Sequence, residues 1–180
     1  MKTNIAILGS TGSIGKSLLK IISKDIWKYN IHLLTADKNF KLVLKQARKF
    51  KVKNIIITNK KYFKKAKLIN KNDKINIYNN FDNLPKIFIK KIDYVMSSIV
   101  GLDGLIPTFE IIKFTKKIAI ANKETIICAW NLIIKELKKH NTEFIPVDSE
   151  HFSIWYSLKN NYTSNLDKIY ITASGGPLLN

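Results

Sequence analysis

The sequence predicts an α/β protein built on a doubly wound parallel sheet, and three observations predict it. Short apolar runs, read as buried strands, alternate with amphipathic stretches of helical length from the first residues onward. Strand-then-helix alternation of that kind makes βαβ units, whose right-handed crossovers cover both faces of a parallel sheet. Glycine-rich and acidic motifs fall at the carboxyl ends of the strands, where such sheets hold their ligands.

The elements follow in order. Residues 4–8 form an apolar run that stops at Gly9, and 13–23 a helix with Ile14, Leu18, Leu19, Ile21 and Ile22 clustered on one side. A second strand covers 31–35. Asn39 is placed to cap a helix over 40–50, in which Leu42, Val43, Ala47 and Phe50 face one way. An isoleucine-rich strand covers 54–58, and 60–69 reads as helical. Residues 74–78 make a short strand, and 82–91 a short helix interrupted early by Pro85. Strands over 92–97 and 117–121 then alternate with helices over 104–114 and 125–140. Residues 143–147 make a last buried strand and 149–158 a helix. A polar loop over 159–165 leads to a strand over 167–172, which runs into Ser174-Gly175-Gly176-Pro177. No internal repeat or low-complexity linker breaks the series.

Composition narrows the function classes. A chain of 180 residues, 46% hydrophobic, supports one domain with a core and the beginning of another. No apolar run approaches the roughly 20 residues of a membrane-spanning helix, and the N-terminus opens into a strand without a signal peptide's apolar stretch. The one cysteine, Cys128, cannot form an internal disulfide and sits in an apolar helical pattern. A cytoplasmic protein without a membrane partner is expected. The formal charge of +18 suggests nucleic acid, but of 31 basic residues only Arg48 is an arginine. The lysines are spread along the whole chain beside many Asn and Ile residues, a set that shares A/T-rich codons. They read as solvated surface with a weak, salt-sensitive attraction to anions; no nucleic-acid partner is expected.

Gly9-Ser10-Thr11-Gly12-Ser13-Ile14-Gly15 follows the first strand and opens the first helix. This G-x-x-G-x-x-G run is a relative of the dinucleotide fingerprint. Its glycines allow a tight turn, close approach of backbone N–H groups to a diphosphate, and close helix–strand packing, with the helix N-terminus facing the phosphates. A Rossmann-like cofactor site follows. After the second strand, Ala36-Asp37-Lys38-Asn39 carries both signals for the cofactor's ribose: Asp37 suits a free 2′-hydroxyl, while Lys38 and Asn39 suit a 2′-phosphate. From the residues alone NAD and NADP stay nearly even.

Ala121-Asn122-Lys123-Glu124 places a neutral donor, a cation and an acceptor at a strand's carboxyl end; a capped helix start explains it equally well. In Val147-Asp148-Ser149-Glu150-His151 two carboxylates stand one residue apart, so that both can face one hard cation such as Mg²⁺ or Mn²⁺. Ser149 can cap the next helix and keep a hydroxyl for substrate. Taken alone, the segment reads more simply as a helix start with acids at the favourable end, and His151 fits a helix face as well as a catalytic role. Ser174-Gly175-Gly176-Pro177 is either a turn or a loop whose N–H groups grip a phosphate.

Together and in this order, these motifs resemble the 1-deoxy-D-xylulose 5-phosphate reductoisomerase family. Ile99-Val100-Gly101 and Gly104-Leu105 belong to the same likeness, which runs the length of the chain; its most specific parts are ANKE at 121–124 and PVDSEH at 146–151. The resemblance implies an oxidoreductase and isomerase that uses NADPH and Mg²⁺ or Mn²⁺. The implied reaction isomerises 1-deoxy-D-xylulose 5-phosphate and reduces it to 2-C-methyl-D-erythritol 4-phosphate in non-mevalonate isoprenoid synthesis. It implies an NADPH-binding unit over 1–147 and the start of an incomplete catalytic α+β domain over 148–180. Gly9, Thr11, Gly12, Ser13 and Ile14 would hold the diphosphate, Lys38 and Asn39 would lie near the adenosine phosphate, and Asn122 and Glu124 would also touch cofactor. Lys123, Ser149, Glu150 and Ser174 would bind substrate, Asp148 and Glu150 the metal, and Lys123 and Glu150 would be catalytic. A homodimer is a family expectation.

Two departures qualify this. Asp37 stands where many members carry glycine or a neutral residue, and the family's chain is about twice as long, with its third carboxylate ligand and further phosphate-binding residues beyond position 180. The expectation is therefore a chain that binds NADPH without reductoisomerase activity. The competing readings are another NAD(P)-dependent oxidoreductase of a small anionic substrate and a basic nucleic-acid-binding module.

Overall fold

The computed structural model describes residues 2–71, 74–159 and 166–170. Seven strands form one parallel sheet: β1 (Thr3–Leu8), β2 (Tyr29–Ala36), β3 (Asn54–Ile57), β4 (Asn76–Tyr78), β5 (Ile92–Ser97), β6 (Thr115–Ile120) and β7 (Glu143–Pro146). Their order across the sheet is β4-β3-β2-β1-β5-β6-β7, and every neighbouring pair is parallel. The chain grows outward from β1 in one direction as far as β4, then returns beside β1 with β5 and grows the other way. The order thus reverses between β1 and β5, and ligands of open α/β sheets bind above such a switch point.

Helices α1 (Ser13–Lys24), α2 (Phe40–Phe50) and α3 (Lys60–Ile69) connect β1 to β4 on one face; α4 (Leu84–Ile87), α5 (Leu105–Ile111) and α6 (Lys123–Lys139) follow, and α7 (Ser149–Lys159) comes after β7. Alternation along β1 divides the core in two. Ile5 and Ile7 pack with Leu19, Ile22, Val43 and Leu44, whereas Ala6 and Leu8 pack with Leu84, Ile111, Ile112 and Ile133. Each fully buried Ile or Leu contributes roughly 1.5–3 kcal/mol, so the central strands hold most of the fold's driving force.

Several boundaries and faces differ from the sequence reading. Pro85 lies in the first turn of α4 rather than interrupting a longer helix, because first-turn residues donate no N–H to the helix and proline's lack of one costs nothing there. The helix over 104–114 contracts to α5, with 3-10 turns at Leu102–Gly104 and Ile112–Phe114. Ile21 is 60% exposed, so α1 buries Gly15, Leu19 and Ile22 instead of the wider apolar side. Cys128 is exposed on α6. Residues 166–170 carry no regular structure, so the described part of the strand over 167–172 is not seen; 171, 172, Ser174 and the glycines after it lie outside the described residues.

Candidate functional site

Two cavities open at the carboxyl ends of the strands. The first encloses about 660 Å³ above β1, β2 and β5, within the usual range for ligand clefts, and is lined in part by Gly9, Thr11, Gly12, Thr35, Asp37 and Ser98. Gly9 has φ +79°, and a Cβ there would lie 2.7 Å from the Ser98 carbonyl oxygen, so only glycine fits. A Cβ on Gly15 would come within 2.5 Å of the Gly9 carbonyl oxygen and 2.6 Å of Ser10 Cα, which is how α1 packs directly against the turn.

The N–H groups of this turn divide into two sets. Gly9 N–H donates to Thr35 Oγ1 (2.8 Å), Ser10 N–H to the Thr35 carbonyl (2.9 Å) and Gly12 N–H to the Gly9 carbonyl (3.0 Å). Thr11 and the first-turn residues Ser13 and Ile14 remain as donors at the mouth of α1, where the helix dipole favours an anion. The residues present therefore fit a diphosphate.

At the end of β2, Asp37 lines the cleft and its Oδ1 accepts from Thr58 Oγ1 at 3.0 Å. Lys38 is exposed beside it. Asn39 caps α2, accepting from the Leu42 N–H at 3.3 Å as its position predicts, so its side-chain oxygen is already engaged. Asn122 is the N-cap of α6 and only 3% exposed. It accepts from the Thr125 N–H (2.8 Å) and donates to the carbonyls of Ile99 (2.5 Å) and Gly101 (2.6 Å). Its side chain thus ties down the loop that walls the first cleft. Glu124 is exposed in the first turn of α6.

The second cavity, about 260 Å³, brings Lys123, Asp148, Glu150 and His151 together between α6 and α7. It lies at the end of β7, three strands from β1 and so on the order of 14 Å across the same rim. Asp148, and not Ser149, caps α7: its Oδ1 accepts from the His151 N–H at 2.9 Å and lies 2.6 Å from His151 Nδ1. Aspartate reaches the third N–H of the helix from the position before the first turn, one residue earlier than the sequence reading placed the cap. Ser149 is exposed.

An apolar groove containing Ile126, Trp130, Phe144 and Ile154 borders Asp148 on its other side. Burial there pushes its carboxyl up, but the His151 N–H, the His151 ring and the charge of Lys123 outweigh this, and the net shift is downward. Asp148 therefore stays ionised beside Glu150, as a ligand for a hard cation must. Among the described residues no group of three or more His, Cys, Asp or Glu surrounds a common point, so the acidic donors amount to this pair.

Residues 5–130 match the family model of 1-deoxy-D-xylulose 5-phosphate reductoisomerase, and residues 144–180 match the model of its C-terminal domain. The chain belongs to the 1-deoxy-D-xylulose 5-phosphate reductoisomerase family. The reductoisomerase of Pelagibacter ubique is 60% identical over 98% of this chain, and that of Clostridium novyi 41% over 97%; each alignment covers 46% of the relative. The chain thus spans about half the length of the curated reductoisomerases it matches. The Zymomonas mobilis reductoisomerase, solved with NADPH, superposes with a TM-score of 0.89 at 32% identity over 98% of this chain and 47% of its own. A reductoisomerase solved with NADPH, fosmidomycin and magnesium superposes at 0.76 and 34% identity, covering 83% of this chain and 37% of its own. Membership in the reductoisomerase family leaves the reading as an unrelated Rossmann oxidoreductase without support.

One residue that holds the glycine turn is missing from the sequence reading. Gln46, 7% exposed, contacts the glycine turn from α2. The only signal in the sequence is a polar residue on the same helical face as Val43 and Ala47.

Proposed function

We propose that this chain supplies the NADPH-binding unit and the first metal- and substrate-binding residues of an enzyme converting 1-deoxy-D-xylulose 5-phosphate into 2-C-methyl-D-erythritol 4-phosphate, a step of the non-mevalonate route to isoprenoids. The observation that carries this reading is the shared rim: the glycine cleft and the Lys123–Asp148–Glu150 cavity open on the same edge of one sheet.

Within this reading the N–H groups of Thr11, Ser13 and Ile14 hold the cofactor diphosphate, Gly9 and Gly12 shape the turn that lets it approach, and Lys38 and Asn39 flank the adenosine end. Asn122 acts on the cofactor by fixing the loop at Ile99 and Gly101, and Glu124 stands at the same helix start. Asp148 and Glu150 hold the divalent cation, and Lys123 and Ser149 orient the anionic substrate, with Ser174 assigned to its phosphate by motif. When bound, NADPH supplies the hydride and the cation supplies Lewis-acid polarisation of the substrate oxygens. Lys123 adds positive charge next to the carboxylates, which favours an anionic substrate in that cavity. His151 holds Asp148 in place through its backbone N–H and ring.

The unit boundary after residue 147 and a homodimer follow from the same reading. So does a cytoplasmic setting; among the described residues no helix is long and apolar enough to cross a membrane. The 180-residue chain is expected to bind NADPH without substrate-dependent oxidation of it, because its described acidic donors are only two.

An Asp148→Asn variant tests the metal site. Asparagine still caps a helix, so the melting temperature should hold, while Mn²⁺ affinity should fall at least about tenfold with the charge. Unchanged Mn²⁺ affinity in the folded variant removes Asp148 from the metal site.

A further inference from the structure

The glycine turn is held from behind by a side chain outside its own motif. Gln46, midway along α2, is buried, and its amide grips Ser10 at two points. Ser10 Oγ lies 2.8 Å from Gln46 Oε1 as donor, and Gln46 Nε2 donates to the Ser10 carbonyl at 2.9 Å. The carbonyl can only accept, so the amide nitrogen must face it, and this fixes which end of the amide is which. Ser10 is fully buried, and its N–H donates to the Thr35 carbonyl at 2.9 Å, which also lies 3.2 Å from its hydroxyl.

This grip has a geometric consequence. In a trans peptide the carbonyl oxygen and the next N–H point in opposite directions, and among the described residues every peptide is trans. Turning the Ser10 carbonyl towards α2 therefore turns the Thr11 N–H away from α2. Thr11 lines the cleft, whereas Gln46 lies on the groove between α1 and α2. The N–H groups of Gly9, Ser10 and Gly12 are engaged within the protein. Thr11 thus carries the donor whose direction the Gln46 amide sets.

We infer that Gln46 is a positioning residue for the cofactor diphosphate, acting through the Ser10–Thr11 peptide without touching the ligand. This rests on the reading of the cleft as an NADPH site. Without the amide, that peptide is free to rotate, and ordering it again on binding weakens the diphosphate contact. The contact with the adenosine end, at β2, does not depend on it.

The test compares two ligands on the 180-residue chain. NADPH carries the diphosphate; adenosine 2′-monophosphate carries the adenosine end without it. Gln46→Met keeps the side-chain length and removes both hydrogen bonds; Ser10→Ala removes the hydroxyl alone. Dissociation constants are read by calorimetry at a temperature where circular dichroism shows each variant folded. NADPH affinity should fall about tenfold in Gln46→Met and about threefold in Ser10→Ala, with adenosine 2′-monophosphate changed by less than about twofold in both. Equal losses for both ligands, or full NADPH affinity in a folded Gln46→Met, overturn the proposal and leave Gln46 a packing residue. If Gln46→Met does not fold, Ser10→Ala decides by the same comparison. A wild-type chain that binds neither ligand overturns the cofactor reading itself, and the role of Gln46 with it; wild-type binding of both with no diphosphate-specific loss in the variants overturns only the latter.

Discussion

At the scale of single residues the site mixes groups whose roles are local with groups that act at a distance. Asp148 combines both: it caps α7 and stays ionised in a cavity with Glu150 and Lys123. Asp37 is the residue that bears on cofactor choice. Its carboxylate lines the first cleft and is steadied by Thr58, in the segment after β2 that the proposed reading gives to the cofactor's ribose. Two like charges a few ångströms apart in a water-exposed cleft repel by about 1 kcal/mol. Asp37→Asn, which can still accept from Thr58, should therefore raise NADPH affinity about fivefold and leave NADH affinity unchanged or lower. Parallel titrations with both cofactors check this, and an equal change for the two would mean that Asp37 does not sense the phosphate.

Among the elements, the first βαβ unit is built most tightly. β1 is followed by Gly9 at positive φ, Gly12 is the N-cap of α1, and Gly15 lets the helix rest on the turn. The atoms a Gly15 side chain would strike are backbone, which cannot swing aside as a side-chain tip can. Gly15→Ala should destabilise the chain by about 1–3 kcal/mol and weaken NADPH binding as the turn is pushed off α1. Thermal unfolding with and without NADPH measures both effects; a stable variant with full affinity would mean the helix can shift without cost. α6 performs the corresponding task on the other half of the sheet, since its cap residue Asn122 holds the wall of the cleft at Ile99 and Gly101.

Taken as a whole, the molecule gathers its ligand-facing groups on the carboxyl rim, while the opposite rim carries ionic ties between strands. At the opposite rim Asp93 accepts from Lys116 Nζ (2.8 Å) and from the N–H and side chain of Asn4 (2.9 and 3.1 Å), linking β1, β5 and β6. The Lys116 ammonium and the Asn4 N–H groups hold its carboxyl below the usual range, against a smaller opposing effect of burial. A carboxyl depressed in the folded state stabilises fully above its unfolded value of about 4, and that stability is lost as pH falls through the folded value. Asp93→Asn should thus cost about 1 kcal/mol at neutral pH, with the difference from wild type constant down to about pH 5 and closing below about pH 4. Denaturant unfolding across that range measures it; a difference that grows on acidification would contradict the assignment.

The order of strands and helices, the glycine turn and the cap at Asn39 were legible in the sequence because each depends on neighbours a few residues away. Hydrophobic period and hydrogen bonding between adjacent residues act at that range. The parallel topology followed, and it put the glycine turn and the Asp148–Glu150 pair on one rim. Only tertiary packing decided that Ile21 stays in water while Leu19 and Ile22 do not, and that Asn122 is buried. It also decided that Gln46 reaches Ser10 across 36 positions. These outcomes depend on which faces the crossovers press together, and no local pattern encodes a contact between residues that meet only after the sheet has formed.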